Sequence, residues 1–133
     1  MRWSLLESLR EKVAQAMDDN WWVGIWDGGE DAFNIEERWP AVYVAYEGCS
    51  FEEQPEIGAT TYTREFHFWV LVCSRDVKQA LDALGVLERE LTGAVLAQDV
   101  SQLVPYGNEE LIAAELGHYL YAQSYVCTEL KTK

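Results

Sequence analysis

Residues 60–73, TTYTREFHFWVLVC, decide the fold. β-Branched and aromatic side chains dominate this run, and they alternate with the period of a strand. One face carries Phe66, Phe68, Val70 and Val72. The other carries Glu65, His67, Trp69, Leu71 and Cys73. A sheet with one wet face alternates cleanly between apolar and polar, yet here the second face is half apolar. Residues 41–47, AVYVAYE, behave alike, with Val42, Val44 and Tyr46 against Ala41, Tyr43 and Ala45. The pattern predicts a sheet covered on both sides, by the chain's own helices on one and by something else on the other.

Working outward, Ser4-Leu5-Leu6-Glu7 reads as a capping box. Leu5, Leu6, Leu9, Val13, Ala16 and Met17 follow with helical spacing, which predicts a helix over 5–17. Residues 20–38 read as a long connection broken by Gly24, Gly28 and Gly29, and Trp39-Pro40 marks the entry to the 41–47 strand. Gly48 to Gly58 reads as a hairpin loop. A second helix is predicted over 76–97, with Ala80, Leu84, Leu87, Leu91 and Val95 in one stripe and Val77 and Leu81 beside it. Gly85 and Gly93 each weaken it by up to about 1 kcal/mol relative to Ala. Pro105-Tyr106-Gly107-Asn108 is a turn. Residues 119–128, YLYAQSYVCT, form the last strand, and 110–116 is read as a strand paired with it. The predicted fold class is α+β: a four-stranded, mostly antiparallel sheet packed against two helices, in the order α-β-β-α-β-β. Residues 1–133 are expected to form a single domain.

The bulk numbers narrow the function. The chain is 49% hydrophobic and 13% aromatic, so it has the means for a packed core. No apolar run approaches the roughly 18 residues of a membrane span. The N-terminal stretch carries acids and an amphipathic period, which is unlike a signal peptide and points to an intracellular protein. Cys49, Cys73 and Cys127 are odd in number and lack CxxC spacing, so they read as reduced thiols. The net charge is −13, which argues against nucleic acid as a direct ligand. Residues 18–56 hold eleven acids and one base, Arg38. That segment is either a solvated face or a docking surface for a basic partner.

No nucleotide, zinc-protease or hydrolase motif occurs. The two histidines, His67 and His118, are distant in sequence. Cys73 shares a strand face with His67 but lies roughly 20 Å from it at about 3.3 Å per residue, too far for a nucleophile and its base. Asp27-Gly28-Gly29-Glu30-Asp31 invites a calcium reading, but its glycines come second and third where an EF-hand loop needs one sixth. No cofactor and no metal are expected. Trp21, Trp22 and Trp26 remain. Each ring buried contributes about 4–6 kcal/mol as an upper bound, so the three either roof the core or anchor an interface.

WPAVYVAYEG (39–48), TREFHFWVLVCSRD (63–76) with DVKQALDALGVLERELTG (76–93), and LVPYGNEELIAAELGHYLYAQSYV (103–126) together resemble the tail-terminator and tail-completion proteins of long-tailed phages. The layout is similar in particular to the small Mu-like prophage tail family. Residues 20–34 have no counterpart in that pattern. The resemblance implies a non-enzymatic subunit that assembles as a homo-oligomeric ring, a hexamer in that family. Such a ring sits at the head-proximal end of the tail tube and meets the tail tube protein and the neck or head-completion proteins. It implies assembly in the host bacterial cytoplasm and residence in the virion tail. The candidate contact residues are Trp21, Trp22, Trp26 and Trp69, with Glu30, Asp31, Glu52 and Glu53 as an acidic rim. A rival reading is an acidic inhibitor, an immunity protein or DNA mimic, that binds a basic protein. A small enzyme is a second rival, with Glu65 and His67 as the pair to inspect.

Overall fold

The computed structural model describes residues 1–28, 38–55, 60–115 and 117–132. The elements run α1 (Arg2–Ala16), β1 (Trp22–Ile25), β2 (Ala41–Glu53), β3 (Thr61–Ser74), α2 (Val77–Leu91), β4 (Val104–Pro105), β5 (Glu110–Glu115) and β6 (His118–Thr132). The strands form one six-stranded sheet in the order β1-β2-β3-β6-β4, with β5 also pairing β6.

This corrects the predicted sheet. Among the described residues it has six strands rather than four, and it is mixed, because β1 runs parallel to β2. The chain order is therefore α-β-β-β-α-β-β-β. Both additional strands are short. β4 is two residues paired to Val126 and Tyr125. β1 is four residues inside the stretch expected to be connection. A parallel pair needs a crossover of a dozen or more residues rather than a tight turn, so no hairpin signal announces β1. Its glycine also disguised it. A Cβ at Gly24 would meet the Trp22 indole nitrogen at 3.1 Å, so the glycine lets that ring lie close along the strand.

Several boundaries move as well, and the last strand, expected over 119–128, runs His118–Thr132. α1 begins at Arg2 with Met1 as N-cap and no side-chain cap. Ser4 Oγ donates to the Met1 carbonyl at 2.8 Å, so the expected capping box is absent. β2 does not turn at Gly48 but continues to Glu53 through a register shift between Tyr46 and Gly48. α2 stops at Leu91 instead of 97, where Thr92 Oγ1 donates to the Glu88 carbonyl and Gly93 adopts a φ of 88°, the left-handed geometry that ends helices. At its start, Asp76 caps α2 by accepting from Lys78 N at 2.9 Å. The strand expected at 110–116 is β5, paired with β6.

The even-numbered residues Val42, Val44, Phe66, Phe68, Val70 and Val72 face the helices. They are fully buried with Leu5, Leu9, Val13, Leu84, Leu87 and Leu91. Two polar links are built into this layer. Gln123 donates to the Leu84 carbonyl at 2.9 Å and to Glu109 at 2.8 Å, and accepts from Tyr125 Oη at 2.7 Å. Arg64 and Glu129 pair across β3 and β6, with Nε 3.0 Å from Oε1, and the guanidinium also lies over the Phe66 ring.

Candidate assembly surface

The odd-numbered residues make the opposite face. Ala41, Tyr43, Leu71 and Cys73 are buried there, with Trp26, Trp39, Trp69, Leu120 and Ala122 packed around them. Among the described residues no helix supplies that cover. The tryptophans do, and two of them come from the segments flanking residues 29–37.

The period of β1 places them. Trp22 and Gly24 point to this face, while Val23 and Ile25 join the helix-side core. Backbone pairing continues past β1, since Trp26 N donates to the Val44 carbonyl at 2.9 Å. The Trp26 ring stacks on Trp69 at 6.4 Å between centroids. Beside this pair lies a groove of about 250 Å³. Trp26, Trp69, Leu71, Ile112, Leu120 and Ala122 form its apolar wall, and Asn108, Glu110 and Ser124 supply its polar atoms.

The candidate contact residues therefore divide. Trp26 and Trp69 come together in the groove. Trp22 stays 44% exposed, with the Arg38 guanidinium 4.4 Å from its ring centroid. Arg38 also hydrogen-bonds Tyr43, whose pKa is nonetheless raised by burial. Trp21 belongs elsewhere, half-buried against the helix-side core. Glu52 and Glu53 are exposed at the far end of β2, opposite Thr63 and Tyr62. Six residues of β3 separate Thr63 from Trp69, roughly 20 Å, so these acids do not rim the groove. Glu30 and Asp31 lie outside the described residues.

The pair suggested for an enzyme does not form a relay. Ser50 Oγ lies 3.0 Å and Glu65 Oε1 3.1 Å from His67, but both contact the same nitrogen, Nε2. A nucleophile–histidine–acid relay uses both ring nitrogens. His118 packs edge-on against Trp39, and by register it sits eight residues of β6 from the partner of His67, roughly 26 Å. Burial holds the Cys73 thiol at a pKa of about 12 and, with Glu129, the Cys127 thiol at about 11. Both are therefore protonated and unreactive at neutral pH. Among the described residues no group of three or more His, Cys, Asp or Glu side chains is placed to hold a metal. No helix there is long and apolar enough to cross a membrane.

Sequence reasoning missed part of this surface. Ile112, Leu120 and Ala122 entered it only through the β5–β6 register. Trp3, 61% exposed, carried a legible signal: it falls off the Leu5-Leu6-Leu9-Val13 stripe and so had to point away from the core.

No family model matches the sequence, and no curated protein matches it. Its fold is similar to that of a chain in a solved structure described as the virion of a native gene transfer agent (GTA) particle. The two chains share 13% identity at a TM-score of 0.59, and the match covers 98% of this chain and 95% of the other. At that identity the likeness speaks to the fold alone.

Proposed function

We propose that this chain is a structural subunit of a phage-like virion, a tail terminator that assembles as a ring on the end of the tail tube and offers its outer surface to neck or head-completion proteins. The observation that carries the reading is the fold shared, nearly end to end, with a chain of a gene transfer agent virion. The sequence resemblance to tail-terminator proteins supports the finer role. So does the distribution of apolar surface. A closed ring needs two different patches per subunit, and this chain offers the aromatic groove on one face of its sheet and exposed apolar residues of α1 on the other side. In this role the chain performs no catalysis and needs no cofactor. Its partners are copies of itself, the tube protein and the neck proteins. Its acidic surface repels DNA or meets a basic neck component. It assembles in the host cytoplasm and ends in the virion tail.

Co-sedimentation with purified tail tubes tests the role. A terminator binds tube ends at fixed stoichiometry and stops further tube growth. An acidic inhibitor leaves tube growth unchanged and instead binds one basic protein tightly, with steep salt dependence.

A further inference from the structure

We propose that copies of the chain bind head to tail, with Trp3 at the start of α1 of one copy seated in the Trp26–Trp69 groove of the next. This deepens the ring reading and rests on it.

Three observations converge. Trp3 is a large aromatic turned away from the core that its own helix builds. Arg10 follows seven residues later, two turns along the same flank, about 10 Å away. Trp and Arg are the residue types that dominate interface energies. Next, the groove suits a side chain better than a metabolite. Its volume of about 250 Å³ lies below the roughly 300–1,000 Å³ of small-molecule sites, and its walls are aromatic and aliphatic. Last, charge selects the occupant. Residues 1–17 carry Arg2, Arg10 and Lys12 against Glu7 and Glu11, a net of +1 in a chain of −13. Among the described residues, the charged one lining the groove is Glu110. A groove edged by acid accepts this helix more readily than the 18–56 stretch of a second copy, with its eleven acids and one base.

Geometry then dictates the assembly. α1 packs on the even-residue face of the sheet and the groove opens on the odd-residue face. The two patches lie on opposite sides of one subunit, so each contact leaves a free patch at both ends. Such a contact is heterologous, and its repetition gives a ring when the rotation closes.

The test uses two surface variants, Trp3→Ala and Ile112→Glu, with Leu81→Glu on the outer face of α2 as a control. Ile112 and Leu81 are 53% and 50% exposed, and matching melting curves establish that each variant is folded. Association is read by sedimentation velocity up to about 1 mM, the range of the weakest specific contacts. Wild type and Leu81→Glu self-associate. Trp3→Ala and Ile112→Glu each weaken association by about 30-fold or more, the lower limit for an interface hot spot. An equimolar mixture of those two gives a 1:1 dimer and nothing larger, because one intact knob and one intact groove remain. If both variants assemble like wild type, the contact lies elsewhere and the ring reading stands without it. If the mixture stays monomeric, the two patches are not partners. If wild type itself stays monomeric throughout, the inference fails, and tube co-sedimentation alone decides the terminator role.

Discussion

The two faces of the sheet are built by the same strands, one residue out of step, and they are finished differently. On the helix side, Phe66, Phe68, Val70 and Val72 are sealed beneath α1 and α2. On the other, Leu71 and Cys73 are covered by single aromatic rings, and the surface opens into a groove at Trp69, Leu120 and Ile112. A face closed by helices is committed to stability. A face roofed by a few tryptophans is stable enough to fold while keeping apolar area for a partner, which is where interface tryptophans are enriched.

Neighbouring residues on β3 give the sharpest way to break this contrast. Phe68→Ala should cost about 3–5 kcal/mol in urea unfolding, the usual loss for a buried aromatic, and leave a folded protein's association unchanged. Trp69→Ala and Trp26→Ala should cost less than half as much and weaken association. Equal stability losses on both faces, with association intact, would turn the tryptophans into ordinary core. Next in size is the Arg64–Glu129 pair, whose side chains are 12% and 6% exposed. Arg64→Ala should destabilise by about 3 kcal/mol, because it strands a buried carboxylate, while replacing both residues with apolar ones should recover most of that loss.

Alkali should act on both faces by a smaller margin, since burial raises the Cys73 thiol on the groove side and the Cys127 thiol on the helix side. Burial raises the Cys73 thiol from 9.0 to about 12. A group whose folded pKa is raised keeps its full contribution below pH 9 and loses it as pH rises toward 12. Stability should therefore fall over that window, and Cys73→Val should flatten the curve measured by thermal melts. The smallest effect concerns α2. A Cβ at Gly85 meets nothing within 4 Å, so Gly85→Ala should stabilise by about 0.5–1 kcal/mol. A gain in melting temperature with lost association would mean that a neighbour approaches this helix, and would enlarge the interface beyond the groove.

How much of this was legible in the sequence depended on element length. β3, at fourteen residues, declared both its strand period and the half-apolar second face. α2 declared its buried stripe, and β5 its pairing with β6. β1 did not, because four residues with a glycine carry too little period and its parallel partner lies across a crossover. The same gap hid what covers the second face. The apolar pattern showed only that something other than the helices covers this face, and Trp26 and Trp39 provide much of that cover. The three tryptophans of 21–26 looked like one cluster, but strand alternation sends Trp21 to the helix side and Trp26 to the groove. The helix N-cap was misplaced for a local reason: a Ser-x-x-Glu pattern is also compatible with the interior of a first turn when a residue three positions earlier caps with its carbonyl alone.

The most direct measurement is the mass of the purified wild-type protein across a concentration series, with negative-stain images of the largest species. Closed rings of about six subunits are expected, each contact joining two different patches. A protein that stays monomeric at every concentration, and that neither sediments with tail tubes nor stops their growth, would contradict the terminator role.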